Sequence, residues 1–476
     1  MSTDATLASL PAALDTARAA GGDALATLES LVRIPSISAA NESAGDVRRS
    51  ADAVEEVLRA SGLENVRQAT TNGSHPYVIG DWVHHDPAAV PTVLLYAHHD
   101  VQPPGVVENW HSDPFEPRQA EGRLYGRGSA DDKAGAVAHA AAVAGWLDSA
   151  GALPCNVRVL VEGEEEIGSP NLEGFLHAHV DELASDVLVL ADAGNWSVGT
   201  PGVTYSLRGL AALDIRVRSV AGPLHSGMAG GVVPDPVQAL AKVLAALTDA
   251  HGTIAIPGFL DDVRPLTDSE RSRVAALPAN EKGLRRACGV VEGVELVGDP
   301  SLTTYERQWF QPSLTVIGFD SHPLKGSSNQ IVASATARLS LRLAPGQDPD
   351  RAFALLTSFL QAQVPWGLEV DIILGESAPA WVCEPEGWAF DATDRALRTG
   401  FGTDPVYMGV GGSIPFVGPF AEAFGGIPAL LLGPADPTSA IHGENESLHI
   451  GDWHSLIAGE IALLAELAAA WPSRPR

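Results

Sequence analysis

Three short apolar runs alternate with segments of helical character and constrain the fold of this chain more than any other feature. The runs cover residues 92–96 (Thr-Val-Leu-Leu-Tyr), 157–161 and 187–190. Such compact runs are typical of strands that are buried on both faces. Residues 133–147, between the first two runs, carry the small and apolar side chains of a buried helix. This alternation predicts an α/β fold with a mainly parallel central sheet.

The pattern changes after about residue 207. Residues 213–217 (Leu-Asp-Ile-Arg-Val) and 337–343 (Ala-Arg-Leu-Ser-Leu-Arg-Leu) alternate apolar and polar side chains. This alternation is typical of strands that have one face in water. Helices are predicted beside them, near residues 236–247 and 350–360. The middle of the chain therefore has α+β character.

The α/β pattern returns near residue 384, with a predicted helix and the apolar run 429–432. We therefore expect the α+β segment, residues 208–383, to be a second, smaller domain inserted into the first. The first domain then consists of residues 1–207 and 384–476.

Charge restricts the partners of this protein. The chain has 30 Lys plus Arg and 59 Asp plus Glu, which gives a formal net charge of −29. Nucleic-acid binding needs clustered basic side chains that neutralise phosphates. This composition argues against nucleic acid as a partner, and it disfavours an anionic membrane surface for the same reason.

The cysteines and the chain start bear on the cellular compartment. Cys155, Cys288 and Cys383 are odd in number and far apart, so they indicate neither a disulfide framework nor a thiolate metal site. The first residues lack the basic start and apolar stretch of a signal peptide. No run approaches the ~18 uninterrupted apolar residues of a membrane span, since Glu460 and Glu466 break the apolar C-terminal stretch. We expect a cytoplasmic protein.

Side chains that could bind a metal or transfer a proton follow the predicted strands or lie in glycine-rich turns. They are His98 and Asp100, Asp131 and Asp132, Glu162 with Glu164 to Glu166, Asp192, and His442. Each alone has an ordinary explanation: paired histidines occur on surfaces, acids complement the dipole at a helix start, and acidic runs are commonly solvated. Residues 84–86 repeat the letters His-His-Asp in a polar loop and provide an internal control.

Together these side chains have a more specific meaning. The carboxyl ends of parallel strands meet at one edge of a sheet, where α/β active sites lie. Crowded carboxylates repel one another unless a cation neutralises them. Nitrogen and oxygen ligands without thiolate suit zinc, with manganese or cobalt as alternatives. The number of candidates permits two ions bridged by a carboxylate.

Five ordered motifs connect the chain with a known family. They are His-His-Asp-Val-Gln-Pro at 98–103, Gly-Arg-Gly-Ser-Ala-Asp-Asp-Lys at 126–133, Glu-Glu-Ile-Gly-Ser at 165–169, Leu-His-Ser-Gly at 224–227 and Gly-Gly-Ser-Ile-Pro at 411–415. With these, the chain resembles the di-zinc exopeptidase family that includes carnosine dipeptidase, glutamate carboxypeptidase, succinyl-diaminopimelate desuccinylase and aminoacylase. The dipeptidase branch is the most similar.

The resemblance spans essentially the full length and implies a zinc-exopeptidase-like catalytic domain with two divalent metal ions. It implies that Asp131 bridges the two ions. His98 and Asp192 complete one site, and Glu166 and His442 complete the other.

The resemblance also implies how the reaction proceeds. Asp100 orients His98. Glu165 is the general base: it takes a proton from the water between the two ions and passes it to the leaving amine.

The inserted segment resembles the lid and dimerisation domain of the family. In a homodimer, His225 is expected to reach the active site of the partner subunit and stabilise the tetrahedral oxyanion. The positions that match substrate contacts are Asn329, Arg342, Gly412 and Ser413. From its strand pattern alone, Arg342 is equally well an outward-facing residue.

One difference from the family pattern leaves more than one substrate class possible. Dipeptidases of this kind often carry Arg-Glu just before the Gly-Gly-Ser turn, and that acid can meet a free amino group; here Gly409 and Val410 precede the turn. The main prediction is a metal-dependent dipeptidase. The alternatives are a deacylase of N-acyl or N-carbamoyl amino acids and, less favoured, a non-catalytic relative that acts as a binding module.

Overall fold

The computed structural model describes residues 3–40, 43–278, 281–414 and 417–474. These residues form two compact units. Unit 1 contains the described residues up to 205, residues 384–408 and the described residues from 417 onward. Unit 2 contains the described residues of 206–383 together with residues 409–414.

The strands are, in chain order, β1 (Glu64–Ala69), β2 (Tyr77–Trp82), β3 (Thr92–His98), β4 (Arg118–Ala120), β5 (Arg123–Tyr125), β6 (Asn156–Glu162), β7 (Val187–Leu190), β8 (Gly202–Leu207), β9 (Gly209–Arg218), β10 (Leu224–His225), β11 (Ser313–Asp320), β12 (Gln330–Ile331), β13 (Ser334–Leu343), β14 (Glu369–Ala378), β15 (Trp381–Val382), β16 (Val406–Val410), β17 (Ala429–Leu431) and β18 (Ser447–His449).

The α-helices are, in chain order, α1 (Thr3–Ala19), α2 (Gly21–Val32), α3 (Ala44–Ala60), α4 (Lys133–Ala150), α5 (Leu172–Ala178), α6 (Val180–Leu183), α7 (Ser226–Ala229), α8 (Pro236–Ala245), α9 (Asp268–Ala276), α10 (Glu281–Ala287), α11 (Thr304–Trp309), α12 (Pro349–Gln363), α13 (Trp388–Phe401), α14 (Val417–Ala423) and α15 (Ile450–Ala470).

The centre of unit 1 is a sheet in which β6, β3, β7 and β17 are neighbours, in that order, and run parallel. These strands are the apolar runs of the sequence, and nearly all their residues are buried. On one side β2 and then β1 join antiparallel to β6, and on the other side β8 joins antiparallel to β17. The prediction of a mainly parallel central sheet in an α/β fold is confirmed.

Strand direction determines which loops meet. Because β3, β6 and β7 are parallel, the residues that follow them lie at the same edge of the sheet. In contrast, β2 is antiparallel to β6, with Trp82 paired to Val157 at the start of that strand. The loop after β2 therefore lies at the opposite edge.

The long C-terminal helix α15 belongs to the core of unit 1. Among the described residues it is the one helix long and apolar enough to cross a membrane, but most of its apolar stretch is buried inside the protein. Trp453 of α15 donates to the backbone oxygen of Ala134, and Trp146 of α4 donates to that of Ile461. These contacts identify α15 as a core helix that packs on α4.

Unit 2 is built around a four-stranded antiparallel sheet in the order β11-β13-β9-β14. The apolar residues of β9 and β13 are buried in one cluster with α8 and α12, as the alternating pattern predicts. Both helices begin with an aspartate cap followed by proline: Asp235 accepts from the backbone of Val237, and Asp348 accepts from that of Arg351.

Candidate metal centre

The carboxyl edge of the parallel strands carries the predicted ligands of unit 1. His98 is the last residue of β3, Asp192 follows β7, and Glu165 and Glu166 follow β6. Asp131 lies in the turn that leads into α4. His442 reaches the same place from the loop before β18, and its backbone is left-handed, with φ of 61°.

Asp131 lies between the two histidines. Its Oδ1 is 3.0 Å from His98 Nε2, and its Oδ2 is 3.0 Å from His442 Nε2. His442 Nε2 is also 3.2 Å from Glu166 Oε2, and His98 Nε2 is 3.8 Å from Asp192 Oδ1. The five residues predicted as metal ligands are thus brought together as two groups that share Asp131.

Asp132 is a further candidate ligand to which the sequence motif assigned no role. Ligand atoms of His98, Asp132 and Asp192 lie within 4.8 Å of one another, as do those of His98, Asp131 and Glu166. Asp132 Oδ2 accepts a hydrogen bond from the His98 backbone, and Oδ1 has no hydrogen-bond partner in the described structure. The sequence feature that could have indicated Asp132 as a ligand is its position next to Asp131 in the glycine-rich turn.

Asp100 holds the two glutamates in place. Its Oδ1 accepts from the backbone N–H of Glu165 at 3.1 Å, and its Oδ2 accepts from that of Glu166 at 3.0 Å. His98 Nδ1 is 3.5 Å from Asp100 Oδ1 and 3.1 Å from the Asp100 backbone oxygen. Asp100 therefore contacts both the histidine that it was predicted to orient and the turn that carries Glu165.

Burial opposes the ionisation of the carboxyl groups in the centre. Burial, followed by the charges of neighbouring carboxylates, raises the pKa of Glu165 well above its ordinary value. Burial also raises the pKa of Asp192 to about 6 and raises the pKa of Glu166. Burial acts in the same direction on Asp131, but hydrogen bonds with the two histidines lower its pKa overall.

The same carboxylates shift the pKa values of the two imidazoles. Burial favours neutral His98, yet the surrounding carboxylates raise its pKa well above the ordinary value. Hydrogen bonds with Asp131 and Glu166 raise the pKa of His442 to about 11. The centre attracts positive charge, and this is the property expected of a cation site.

The predicted substrate contacts lie in unit 2 and form two local groups. In the first, Arg342 donates to Ser413 Oγ at 2.9 Å, and Ser413 Oγ donates to the backbone oxygen of Arg208 at 2.5 Å. Arg208 in turn bonds the backbone oxygens of Gly411 and Gly412. Arg208 was not among the predicted residues, although it stands at the start of the inserted segment.

The second group contains His225 and Asn329. His225 pairs with Gln330 across β10 and β12, and the Asn329 backbone oxygen accepts from Ser226. The His225 side chain is exposed, and its Nδ1 accepts from the backbone of Gly227. The two strands thus place the predicted oxyanion residue next to a predicted substrate residue.

An α/β sheet with imidazole and carboxylate groups gathered at its carboxyl edge defines a metallohydrolase. Residues 94–468 match the model of Peptidase family M20/M25/M40. Since the match covers more than half of the chain, the protein belongs to this peptidase family. The predicted enzyme class, a metallopeptidase that hydrolyses peptide bonds, is confirmed.

Individual relatives agree with this assignment. The cysteinylglycine-S-conjugate dipeptidase of Corynebacterium striatum is 32% identical over 82% of this chain and 84% of its own length. The Beta-Ala-His dipeptidase of Homo sapiens is 29% identical over 75% of this chain and 71% of its own length. The solved structure of the di-peptidase Dug1p from Saccharomyces cerevisiae matches with a TM-score of 0.85 and 26% identity, over 98% of this chain and 99% of that chain.

Proposed function

We propose that this protein is a metal-dependent dipeptidase that cleaves the amide bond of dipeptides with two divalent cations. The observation that carries the proposal is the position of Asp131, whose two oxygens each lie 3.0 Å from a different imidazole. A carboxylate in that position can bridge two ions. The names of the bacterial and human relatives, both dipeptidases, support the substrate class.

The proposal includes two metal positions. The first metal position consists of His98, Asp131 and Asp192, with Asp132 beside it. The second metal position consists of Asp131, Glu166 and His442. Each combines imidazole nitrogen with carboxylate oxygen, and the mutual repulsion of the buried carboxylates fits divalent ions. This donor set favours Zn²⁺, with Mn²⁺ or Co²⁺ as alternatives.

Glu165 is the proposed general base. Cations held by the residues of the two metal positions would polarise the scissile carbonyl and acidify the attacking water. The Glu165 carboxylate lies in the metal centre, with Oε2 3.9 Å from His98 Nε2, and would take a proton from a water held there and pass it to the leaving amine nitrogen. The same carboxylate thus acts first as base and then as acid. Asp100 fixes the backbone from which Glu165 projects.

Unit 2 is the proposed lid and dimerisation domain. The guanidinium of Arg342 can receive the terminal carboxylate of a dipeptide in a forked contact, with Ser413, Gly412 and Asn329 as further substrate contacts. Burial lowers the pKa of Arg208 to about 10, and the charge of Arg342 acts in the same direction. Two adjacent positive charges favour an anionic group at this place.

We also propose a homodimer in which His225 stabilises the oxyanion in the active site of the partner subunit. Large apolar side chains of unit 2 are open to solvent, including Met228 at 86%, Val232 at 87% and Leu324 at 94% exposure. Such side chains can be buried favourably when two subunits associate. Two of them, Met228 and Val232, lie close to His225 in the chain.

A cytoplasmic location is the final part of the proposal. The structure contains free thiols at buried Cys155 and exposed Cys288. Free cysteines fit a reducing compartment.

A dipeptide panel with defined loading of Zn²⁺, Mn²⁺ or Co²⁺ tests the function. The Glu165→Gln variant should keep both ions and lose kcat by about 10²–10⁴-fold, since it removes the proton acceptor. The Glu173→Gln variant, on the exposed face of α5, is the matched control. Wild-type turnover in Glu165→Gln with both metals bound contradicts the mechanism.

A second candidate function, deacylation of N-acyl or N-carbamoyl amino acids, is favoured by one observation. Gly409 packs against the Trp309 side chain, and half-buried Val410 presents no carboxylate to a free amino group. Comparing kcat/KM for free and N-acetylated or N-carbamoylated substrates separates the two functions. A preference for the blocked substrates supports deacylation.

A further inference from the structure

Arg127 and Glu446 form an ion pair inside unit 1 that the proposed chemistry does not use. Arg127 Nη1 lies 2.7 Å from Glu446 Oε2, and the two side chains are 1% and 0% exposed. Removing one partner of such a pair leaves an uncompensated buried charge, which is strongly unfavourable. A pair of this kind is therefore expected to hold the segments that it joins in one arrangement.

Glu446 holds the turn that carries Asp131. Its Oε1 accepts from the backbone N–H groups of Ala130 at 2.9 Å and Asp131 at 3.1 Å. Its Oε2 accepts from Gly128 at 3.0 Å, in addition to the contact with Arg127. One carboxylate thus fixes the backbone on which the bridging carboxylate is placed.

Arg127 holds the loop that carries His442. Its Nη2 donates to the backbone oxygens of Gly443 at 3.1 Å and Pro103 at 3.2 Å, and its guanidinium lies over the Trp110 ring. His442 has a positive φ, a conformation that surrounding contacts must maintain in a residue with a side chain. Arg127 supplies such a contact at the adjacent residue.

We infer that the Arg127–Glu446 pair positions the ligands of the second metal position. The pair connects the turn of Asp131 with the loop of His442. Asp192, which belongs to the first metal position, follows β7 and makes no hydrogen bond or ion pair with Arg127 or Glu446 within the part of the chain that the structure describes. The inference rests on the ligands of the proposed function, and it names Arg127 and Glu446 as positioning residues that touch neither metal nor substrate.

Metal titration of the metal-free Glu446→Gln variant tests this inference without any substrate. Zn²⁺ is titrated against a competing chelator, and Co²⁺ absorption reports the two positions separately. The wild type should bind two ions. In Glu446→Gln the ion at the second metal position should bind about 10–100-fold more weakly, as is common when a group supporting a ligand is removed. The ion at the first metal position shares only Asp131 with that turn, so its affinity should fall clearly less.

Glu444→Gln is the matched control. Glu444 lies in the same loop, is half-buried rather than fully buried as Glu446 is, and accepts from the Val106 backbone. This variant should bind both ions as the wild type does. The thermal unfolding of the metal-free proteins is measured in parallel, because a purely structural role for Glu446 lowers stability without selecting one metal position.

Arg127→Lys provides a second variant if Glu446→Gln does not fold. It keeps the charge beside Glu446 but loses the forked donors that reach Gly443 and Pro103, so selective weakening of one ion is again expected. Two ions bound with wild-type affinity, or equal weakening of both, would overturn the inference. A wild-type protein that binds two ions but cleaves no dipeptide refutes the proposed function and leaves this inference intact.

Discussion

Residues 98–100 and 84–86 share the letters His-His-Asp but lie at opposite edges of the central sheet. His98 ends β3, whose parallel neighbours deliver Glu166 and Asp192 to the same edge. The other segment follows β2, which runs the other way, and the His84 backbone donates to Asn156 at the start of β6. Strand direction, rather than the letters of the motif, separates a candidate ligand from a loop residue.

The surroundings of the two histidines differ accordingly. His98 faces Asp131, Asp192 and Glu165 within 4 Å. The His84 ring instead accepts from the backbone of Asp86 within its own turn. An imidazole is a plausible metal ligand here because several carboxylates from distant parts of the chain meet it.

The largest expected effect tests this comparison directly. His98→Ala should lower kcat/KM by about 10³-fold or more, since it removes a proposed metal ligand and the bound ion would stabilise the transition state by several kcal/mol. His84→Ala, the matched variant, should stay near wild type. Metal content and steady-state kinetics of both variants are the measurements; similar losses in the two would refute the distinction.

His225 extends the comparison to an exposed histidine of unit 2. His225→Ala should lower kcat by about 10²–10³-fold, because it removes the proposed donor to the oxyanion. Mixing Glu165→Gln subunits with His225→Ala subunits should restore about a quarter of wild-type activity, since half of the two-fold dimers then contain one complete site. Absence of any recovery in dimers shown to exchange subunits contradicts the shared site.

The aspartates of the two His-His-Asp segments, Asp100 and Asp86, provide the next comparison. Asp100→Asn should reduce kcat/KM by about 10–100-fold, as is common for a group that supports metal ligands, because an amide cannot accept from both Glu165 and Glu166. Asp86→Asn should have no measurable effect. Retained metal content with reduced kcat in Asp100→Asn would point to misplacement of Glu165.

The smallest effect concerns a buried histidine outside the centre. His139 Nδ1 lies 2.9 Å from Glu460 Oε2, between α4 and α15. Burial acts to lower the pKa of His139, but the Glu460 carboxylate raises it overall. The folded state therefore holds the proton more tightly than the unfolded chain does.

The resulting stabilisation is fully present below the ordinary histidine pKa of about 6.5 and is lost as the pH rises through the higher folded value. Thermal unfolding of the metal-free protein should show this decline, and His139→Gln should reduce it. Activity of the metal-loaded variant should change little. If His139→Gln lost as much activity as His98→Ala, a buried imidazole beside a carboxylate would be required for activity whether or not it lies in the metal centre.

Most helices and strands were predictable because their signals are local. The buried strands β3, β6 and β7 appear as apolar runs, and β9 and β13 appear as alternating patterns in unit 2. Their neighbours in the sheet could not be predicted in the same way. The parallel pairing of β17 with β7 joins segments more than 200 residues apart, and no local pattern specifies it.

Some residues of the candidate site were likewise predictable from the sequence, and others were not. Residue type and position after a strand indicated His98, Asp131 and Asp192 as chemical groups, and the resemblance to a family assigned their partners. Arg127 was inside a recognised motif without an assigned role, and Glu446 follows His442 by four residues without one. Their importance comes from a contact across 319 positions of the chain. Arg208 was missed for a similar reason, since its contacts reach Gly411 and Gly412.

The sequence by itself determined the α/β class, the excess of negative charge and the residue types available to hold metal ions. It could do so because hydrophobic periodicity and side-chain chemistry are properties of short segments. Only the tertiary structure decided which edge of the sheet each motif reaches, and which carboxylate stands between two imidazoles. Those outcomes depend on strand direction and on backbone hydrogen bonds between distant turns, which exist only after the chain has folded.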